Sequence, residues 1–309
     1  MAKLKMSLHN IGKNMKLEQL MNEHLEDCRA RGLSEYTIKS YSDNARYVLQ
    51  YLDGETEITE INNQLIAQLI RAIQSTGVKA STVNNRVRYL KALFNFAYDN
   101  DYMDKLRIKA VKMSQENKNP LNEQEVKKLL RKPTGDDYCE YRQWVIVNLV
   151  LATGIRTRNV IEARVSDLDL NANILTLKDT KGRREQKIYL SASIRAILKE
   201  WIRLTGIKGD MALFPTIEGK PMNRYTYRSA FDKYVARRDV KCTPHQLRHT
   251  FTKQLVLQNV SPFVIKELLG HQDISVTQKY VKMFSEELQE QVNEIDTLSL
   301  YNNRRMKLK

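Results

Sequence analysis

Three short segments in the second half of the chain combine side chains that clamp a phosphate with side chains that move protons. The first is Ala152-Thr153-Gly154-Ile155-Arg156, where an apolar helical pattern ends at a glycine and an arginine follows two positions on. The second is Thr243-Pro244-His245-Gln246-Leu247-Arg248-His249-Thr250. The third is Leu268-Leu269-Gly270-His271, with Tyr280 nine positions after the histidine. A guanidinium presents a planar fork of donors that meets phosphate oxygens two at a time, which a lysine ammonium does not reproduce. Histidine exchanges protons near neutral pH. Together these types suit reaction at a phosphodiester, whose negative oxygens repel a nucleophile until their charge is stabilised in the transition state.

The segments resemble the motifs of the tyrosine recombinase, or phage integrase, family. That pattern is an arginine in a T-G-[LI]-R context, a lysine on a β-hairpin, H-x-L-R-H-[TS], L-G-H, and a tyrosine nine residues later. Here the positions are filled in order by Arg156, Lys181, His245 with Arg248, His271 and Tyr280, and the match runs over residues 150–284. The resemblance implies a role for each. Arg156 and Arg248 donate to the non-bridging phosphate oxygens and His271 adds a third donor. His245 accepts the phenol proton as general base, and Lys181 protonates the departing 5′ oxygen. Tyr280 becomes the covalent link, a 3′-phosphotyrosyl bond close in energy to the phosphodiester it replaces, so that rejoining needs no ATP. No metal and no other cofactor is expected, because the arginines supply the electrostatic stabilisation that Mg²⁺ gives in other phosphoryl-transfer enzymes. One position departs from the pattern. Asn159 stands where the family usually has an acidic residue that helps orient the site, and Glu162, about one helical turn on, is the candidate to compensate.

Simpler readings compete with each residue. The chain has 15 tyrosines, so only the spacing to His271 singles out Tyr280. It has five histidines, His9, His24, His245, His249 and His271, and the last three fall inside the motif segments. His249 reads as structural or as a support for the residues that meet the phosphate, since no separate task requires it. His245 and His249 have the i, i+4 spacing of a helical zinc site, but Gln246 stands where that motif needs its glutamate base and no third ligand is evident. A type IB topoisomerase shares the phosphotyrosine chemistry, and a non-catalytic DNA-binding regulator would keep the fold alone. A separable helical domain and the L-G-H motif favour a recombinase over the former. Six intact positions argue against the latter, since binding requires neither Tyr280 nor His245.

These residues need elements to hold them. In the first third, Leu17, Leu20, Met21 and Leu25 start a helix that Arg31 and Gly32 interrupt. After Ser34, a fitting N-cap, Ile38, Tyr41, Ala45, Val48, Leu49 and Leu52 keep helical spacing until Asp53 and Gly54. A third helix carries Leu65, Ile66, Leu69, Ile70 and Ile73; a fourth, capped by Ser81, carries Val83, Val87, Leu90, Phe94 and Ala97. On that fourth helix Arg86, Arg88 and Lys91 lie off the apolar stripe, as DNA-binding candidates or as a merely solvated face. Residues 109–120 turn polar and read as a linker. Beyond it, helical patterns over Glu123–Leu130 and Tyr141–Ala152 give way to Ile174, Leu175 and Leu177, a turn at Thr180 to Arg183, then Ile188 and Leu190. That is a β-hairpin with Lys181 near its tip. Helical patterns resume over Ser193–Leu204.

The fold class is therefore mainly α with a small β-sheet. A four-helix core-binding domain (17–107) follows an N-terminal extension (1–16). A linker (108–120) leads to an α+β catalytic domain (121–284), and a tail (285–309) completes the chain. The resemblance implies a clamp with one domain on each face of duplex DNA, and a homo-tetramer on two recombination sites exchanging strands through a Holliday junction. An apolar stripe of Leu288, Val292, Ile295 and Leu298 is expected to dock on a neighbouring protomer. The residues before Leu17 are too few for an arm-binding domain, and an accessory directionality factor is a candidate partner. Integration of a mobile element is favoured over chromosome-dimer resolution or inversion.

Composition agrees with a polyanionic partner. The 309 residues carry 51 Lys and Arg against 36 Asp and Glu, a formal net charge of +15. Cys28, Cys139 and Cys242 are far apart, without metal or redox spacing. No run approaches a membrane span, and Met1–Lys16 lacks the apolar core of a signal peptide. A cytoplasmic, nucleoid-associated protein with no membrane partner is expected.

Overall fold

A computed structural model describes residues 15–113, 119–178 and 185–270. The chain divides into two compact units, Met1–Glu116 and Asn117–Lys309. The fold is mostly helical with one three-stranded sheet.

In the first unit, α1 (Leu17–Ala30), α2 (Glu35–Val48), α3 (Asn63–Ser75) and α4 (Ala80–Asp99) bury their apolar stripes against one another. Leu17, Leu20 and Met21 of α1, Val48 of α2, Ile66, Leu69 and Ile73 of α3, and Val87, Leu90, Leu93 and Phe94 of α4 share one core. Ser34 caps α2 by accepting from the Thr37 amide, and Asn62 caps α3 by accepting from Gln64 and Leu65. Two boundaries differ from the expected ones. Helix α4 begins at Ala80 after Lys79, so Ser81 lies inside its first turn rather than capping it. Helix α2 ends at Val48; Leu49 to Leu52 form tight turns, and Leu52 still reaches the core because a turn of similar pitch keeps its spacing. Beyond α4, the Asn84 side chain takes both backbone groups of Val111, donating to the carbonyl at 2.9 Å and accepting from the amide at 2.8 Å. That pair fastens the departing chain to α4.

The second unit is organised around α6 (Tyr138–Thr153), whose Trp144, Val145, Ile146, Val147, Leu149 and Val150 are all buried. A helix apolar on every side belongs in the middle. It packs against α5 (Glu123–Leu130), α8 (Ala192–Thr205), α9 (Arg224–Ala236) and α10 (Pro244–Leu257). Short α7 (Thr157–Glu162) follows α6 directly, and α11 (Pro262–Leu269) packs on α10 through Val256, Ile265 and Leu269. The sheet runs β1 (Leu168–Asp169), β2 (Ile174–Lys178), β3 (Glu185–Tyr189), all antiparallel, with Leu175 opposite Ile188 and both buried. The two-residue β1 is too short to leave a period-2 signature in sequence. Lys181 belongs to the connection between β2 and β3 and lies outside the described residues, as do His271, Tyr280 and the stripe from Leu288 to Leu298.

Candidate active site

Two helix ends and one helix start meet in the second unit. Helix α6 stops at Gly154, whose φ of +64° is the left-handed conformation that ends helices at little steric cost only for glycine. A side chain there would also strike Phe251 of α10 at 2.5 Å and Leu269 at 2.7 Å. The chain can therefore turn tightly between α10 and α11, and Arg156 emerges exposed at the N-cap position of α7. Helix α11 ends in the same way at Gly270, φ +59°, where a β-carbon would collide with Gln186 of β3 at 2.5 Å. These glycines of the T-G-I-R and L-G-H segments bring α6, α10, α11 and β3 together.

Helix α10 supplies the third piece. Thr243 caps it by accepting from the Gln246 amide, the Gln246 side chain returns to the Thr243 amide, and Pro244 occupies the first turn. His245 is exposed on that first turn. Arg248, one turn deeper, is only 5% exposed. Its Nη1 donates to the Gly154 carbonyl at 2.5 Å and its Nη2 to the Leu269 carbonyl at 2.8 Å. Arg156 donates from Nη2 to the Gly270 carbonyl at 2.6 Å. Both guanidiniums are thus held by the carbonyls at the C-terminus of α11, the negative end of its dipole.

His249 lies behind His245, ring centroids 4.3 Å apart in an edge-on arrangement. Burial, then the nearby His245 and Arg248, push its pKa down to about 4, which keeps it neutral at pH 7. The neutral ring adds no positive charge beside His245 and Arg248. Among the described residues no group of three or more His, Cys, Asp or Glu could hold a metal ion.

Glu162 does not reach Arg156. Its carboxylate pairs with Arg158 at 2.7 Å, four residues back on α7, so the expected compensation for Asn159 is not made. The reason is geometric: Arg156 precedes α7 and points to Gly270, whereas Glu162 lies over the helix face that Arg158 shares. Asn159 and Glu162 instead line a 370 Å³ cavity with Arg164, Leu177 and Met222. Arg156, His245, Arg248 and His249 are not among its lining residues.

In the first unit, Arg88 and Lys91 are exposed on α4, Arg88 donating to Asn85 one turn back. Arg86 is different. It is half-buried, donates to Asn44 of α2 at 2.7 Å, and lies 4.2 Å over the Tyr47 ring. It ties α4 to α2 rather than standing outward with the other two.

Sequence reasoning missed the carbonyls at the end of α11 that receive Arg156 and Arg248. Their only trace is a glycine directly before Ile155-Arg156 and another directly before His271.

Comparison with known proteins shows the family to which the chain belongs. The phage integrase family matches residues 119–287, and the phage integrase N-terminal SAM-like domain matches residues 22–101. The chain belongs to the phage integrase family. It is an enzyme of the tyrosine-recombinase class. Tyrosine recombinase XerA of Pyrococcus furiosus is 26% identical over 271 residues, covering 86% of each chain. Tyrosine recombinase XerD of Staphylococcus haemolyticus is 26% identical over 291 residues, covering 90% of this chain and 98% of the relative. Among solved structures, the Tn1549 transposon integrase in complex with transposon right end DNA superposes with a TM-score of 0.72 at 21% identity, covering 86% of this chain and 94% of that one. A lambda integrase tetramer bound to a Holliday junction gives 0.71 at 17% identity, covering 90% and 81%. At these identities the structures establish the shared fold.

Proposed function

We propose that this chain is a site-specific DNA recombinase that cuts and rejoins duplex DNA through a 3′-phosphotyrosyl intermediate at Tyr280. The observation that carries the reading is the convergence of Arg156 and Arg248 on one helix end, with exposed His245 on the same helix as Arg248. Two guanidiniums fixed side by side form a preorganised receptor for the charge that gathers on a phosphoryl group in flight.

The Tyr280 oxygen attacks phosphorus as its proton passes to His245. The P–O5′ bond breaks, and Lys181 supplies the proton that the departing oxygen takes up. The new P–O bond to tyrosine conserves the ester, and a 5′ hydroxyl from another strand reverses the step. Arg156, Arg248 and His271 stabilise the non-bridging oxygens throughout. Every charge in this scheme is met by a side chain, so the reaction proceeds without a metal or other cofactor.

Exchange between two recombination sites is assigned to four protomers, which pass strands through a Holliday junction. The net charge of +15 supports binding to duplex DNA, with Arg88 and Lys91 contributing phosphate contacts. Integration of a mobile element is the favoured role, with an accessory directionality factor as a further partner. A cytoplasmic, nucleoid-associated location follows from a DNA substrate; among the described residues no helix is long and apolar enough to cross a membrane.

The test is covalent trapping in EDTA, on DNA from both sides of the gene carrying nicked or bridging-phosphorothiolate sites. The wild type is expected to form an adduct and Tyr280→Phe none, with salt-sensitive DNA binding retained by both. Binding without any adduct across a wide DNA library would replace this reading with that of a DNA-binding regulator.

A further inference from the structure

The last carbonyls of α11 each receive a donor from a different part of the second unit. Arg156 takes Gly270, Arg248 takes Leu269, and the third donor is Gln186 of β3, whose Nε2 reaches the Leu268 carbonyl at 3.2 Å. The same Gln186 side chain fills the space beside Gly270 that any β-carbon would need. The strand sets its direction: Ile188, two residues on, is buried and paired with Leu175 of β2, so the alternation turns Gln186 to the same side, where it meets α11.

From this geometry we infer that Gln186 is a positioning residue for Arg156 and Arg248. It acts through the helix end it shares with them and has no contact of its own with a phosphate. The inference rests on the recombinase reading only for its effect on rate. Three consecutive carbonyls at a helix C-terminus lack intrahelical donors and rely on outside ones. Among the described residues, the two guanidiniums hold Leu269 and Gly270 from the α10 and α7 sides. Gln186 holds Leu268 from the sheet side, so the row cannot turn about the helix axis. Without it, Gly270 and the Arg156 guanidinium shift together, and misplacement of an electrostatic group by a fraction of an ångström to 1 Å costs about ten- to a hundredfold in rate. The sheet therefore does more than carry Lys181: it sets the depth at which both arginines meet the scissile phosphate.

Gln186→Met keeps length and removes the donor; Gln186→Glu keeps shape and turns a carboxylate toward the Leu268 carbonyl. With a trapping substrate at saturating DNA, both are expected to slow single-turnover cleavage about tenfold or more while DNA affinity and melting temperature stay near wild type. For Gln186→Glu the deficit relative to wild type shrinks as pH falls, because a protonated carboxyl regains a donor. A purely structural side chain would give no such pH dependence. In the DNA-free protein, side-chain ¹⁵N resonances read the tether without any cleavage: Gln186→Met is expected to shift the Arg156 and Arg248 guanidinium signals. Unshifted signals overturn the inference whatever the protein catalyses, as does a wild-type cleavage rate in both variants. An adduct missing from the wild type itself would count against the recombinase reading, and the guanidinium signals would still decide for or against the tether.

Discussion

Arg248 of α10 donates to the Gly154 carbonyl at the end of α6 and to the Leu269 carbonyl at the end of α11, so one buried guanidinium joins three helices. That relationship makes it a structural keystone as well as a candidate phosphate donor. A buried arginine retained at two backbone carbonyls is stable because its charge is met by charge-assisted hydrogen bonds and by the helix-end dipoles.

Arg248→Lys separates the two parts. A single ammonium cannot span both carbonyls in the plane of a guanidinium. Loss of one charge-assisted bond and the carbonyl left without a donor is expected to lower stability of the second unit by about 2–3 kcal/mol, read by denaturant unfolding. Cleavage should fall about a hundredfold or more. An unchanged unfolding midpoint would remove the keystone role.

Gly154→Ala tests the close approach. The new methyl would meet Phe251 at 2.5 Å in a backbone conformation with φ +64°. Strain and overpacking together should destabilise by about 2–4 kcal/mol, visible as a lower melting temperature. Gly206, also left-handed at φ +67° but with open space around it, is the control, and Gly206→Ala should cost only about 1 kcal/mol.

Glu162→Gln should leave cleavage within about twofold of wild type and stability within about 0.5 kcal/mol, since it removes only a surface pair with Arg158. Single-turnover rates decide; a large loss would mean that Glu162 leaves Arg158 to support Arg156 on DNA.

Stability should fall on mild acidification. His249 in the second unit and His24 in the first both have pKa values below 6.5, in each case chiefly because burial disfavours the charged ring. The unfolded chain therefore binds protons that the folded chain refuses, and stability present above pH 6.5 is lost as pH falls toward 4. Unfolding curves between pH 7.5 and 4.5 should show this slope, and His249→Gln should flatten it for the second unit alone.

Much of this was legible in the sequence, for reasons that also mark the limits. Helices α1 to α4 declare themselves because each buries one stripe at helical spacing, and the hairpin because Leu175, Leu177 and Ile188 alternate toward the core. The motif residues Arg156, His245 and Arg248 can be picked out by type. Their holder cannot: the carbonyls of Leu268, Leu269 and Gly270 are backbone atoms common to every sequence, and only tertiary packing aims donors at them. Arg86 makes contacts that its place in the sequence does not show, for a related reason. It lies off the apolar stripe of α4, yet α2 comes close enough for Asn44 and Tyr47 to claim it. Asn159 hid in the same way, since its acidic substitute looked plausible one turn along the helix until Arg158 proved to hold it.

The most direct test of the central claim is to digest the trapped protein–DNA adduct and map the modified peptide by mass spectrometry, reading the DNA ends in parallel. Attachment at Tyr280 through a 3′ phosphate, with a free 5′ hydroxyl on the released strand and no requirement for divalent metal, is the result expected. Attachment at another residue, a 5′-linked phosphate, or undiminished adduct from Tyr280→Phe would contradict it.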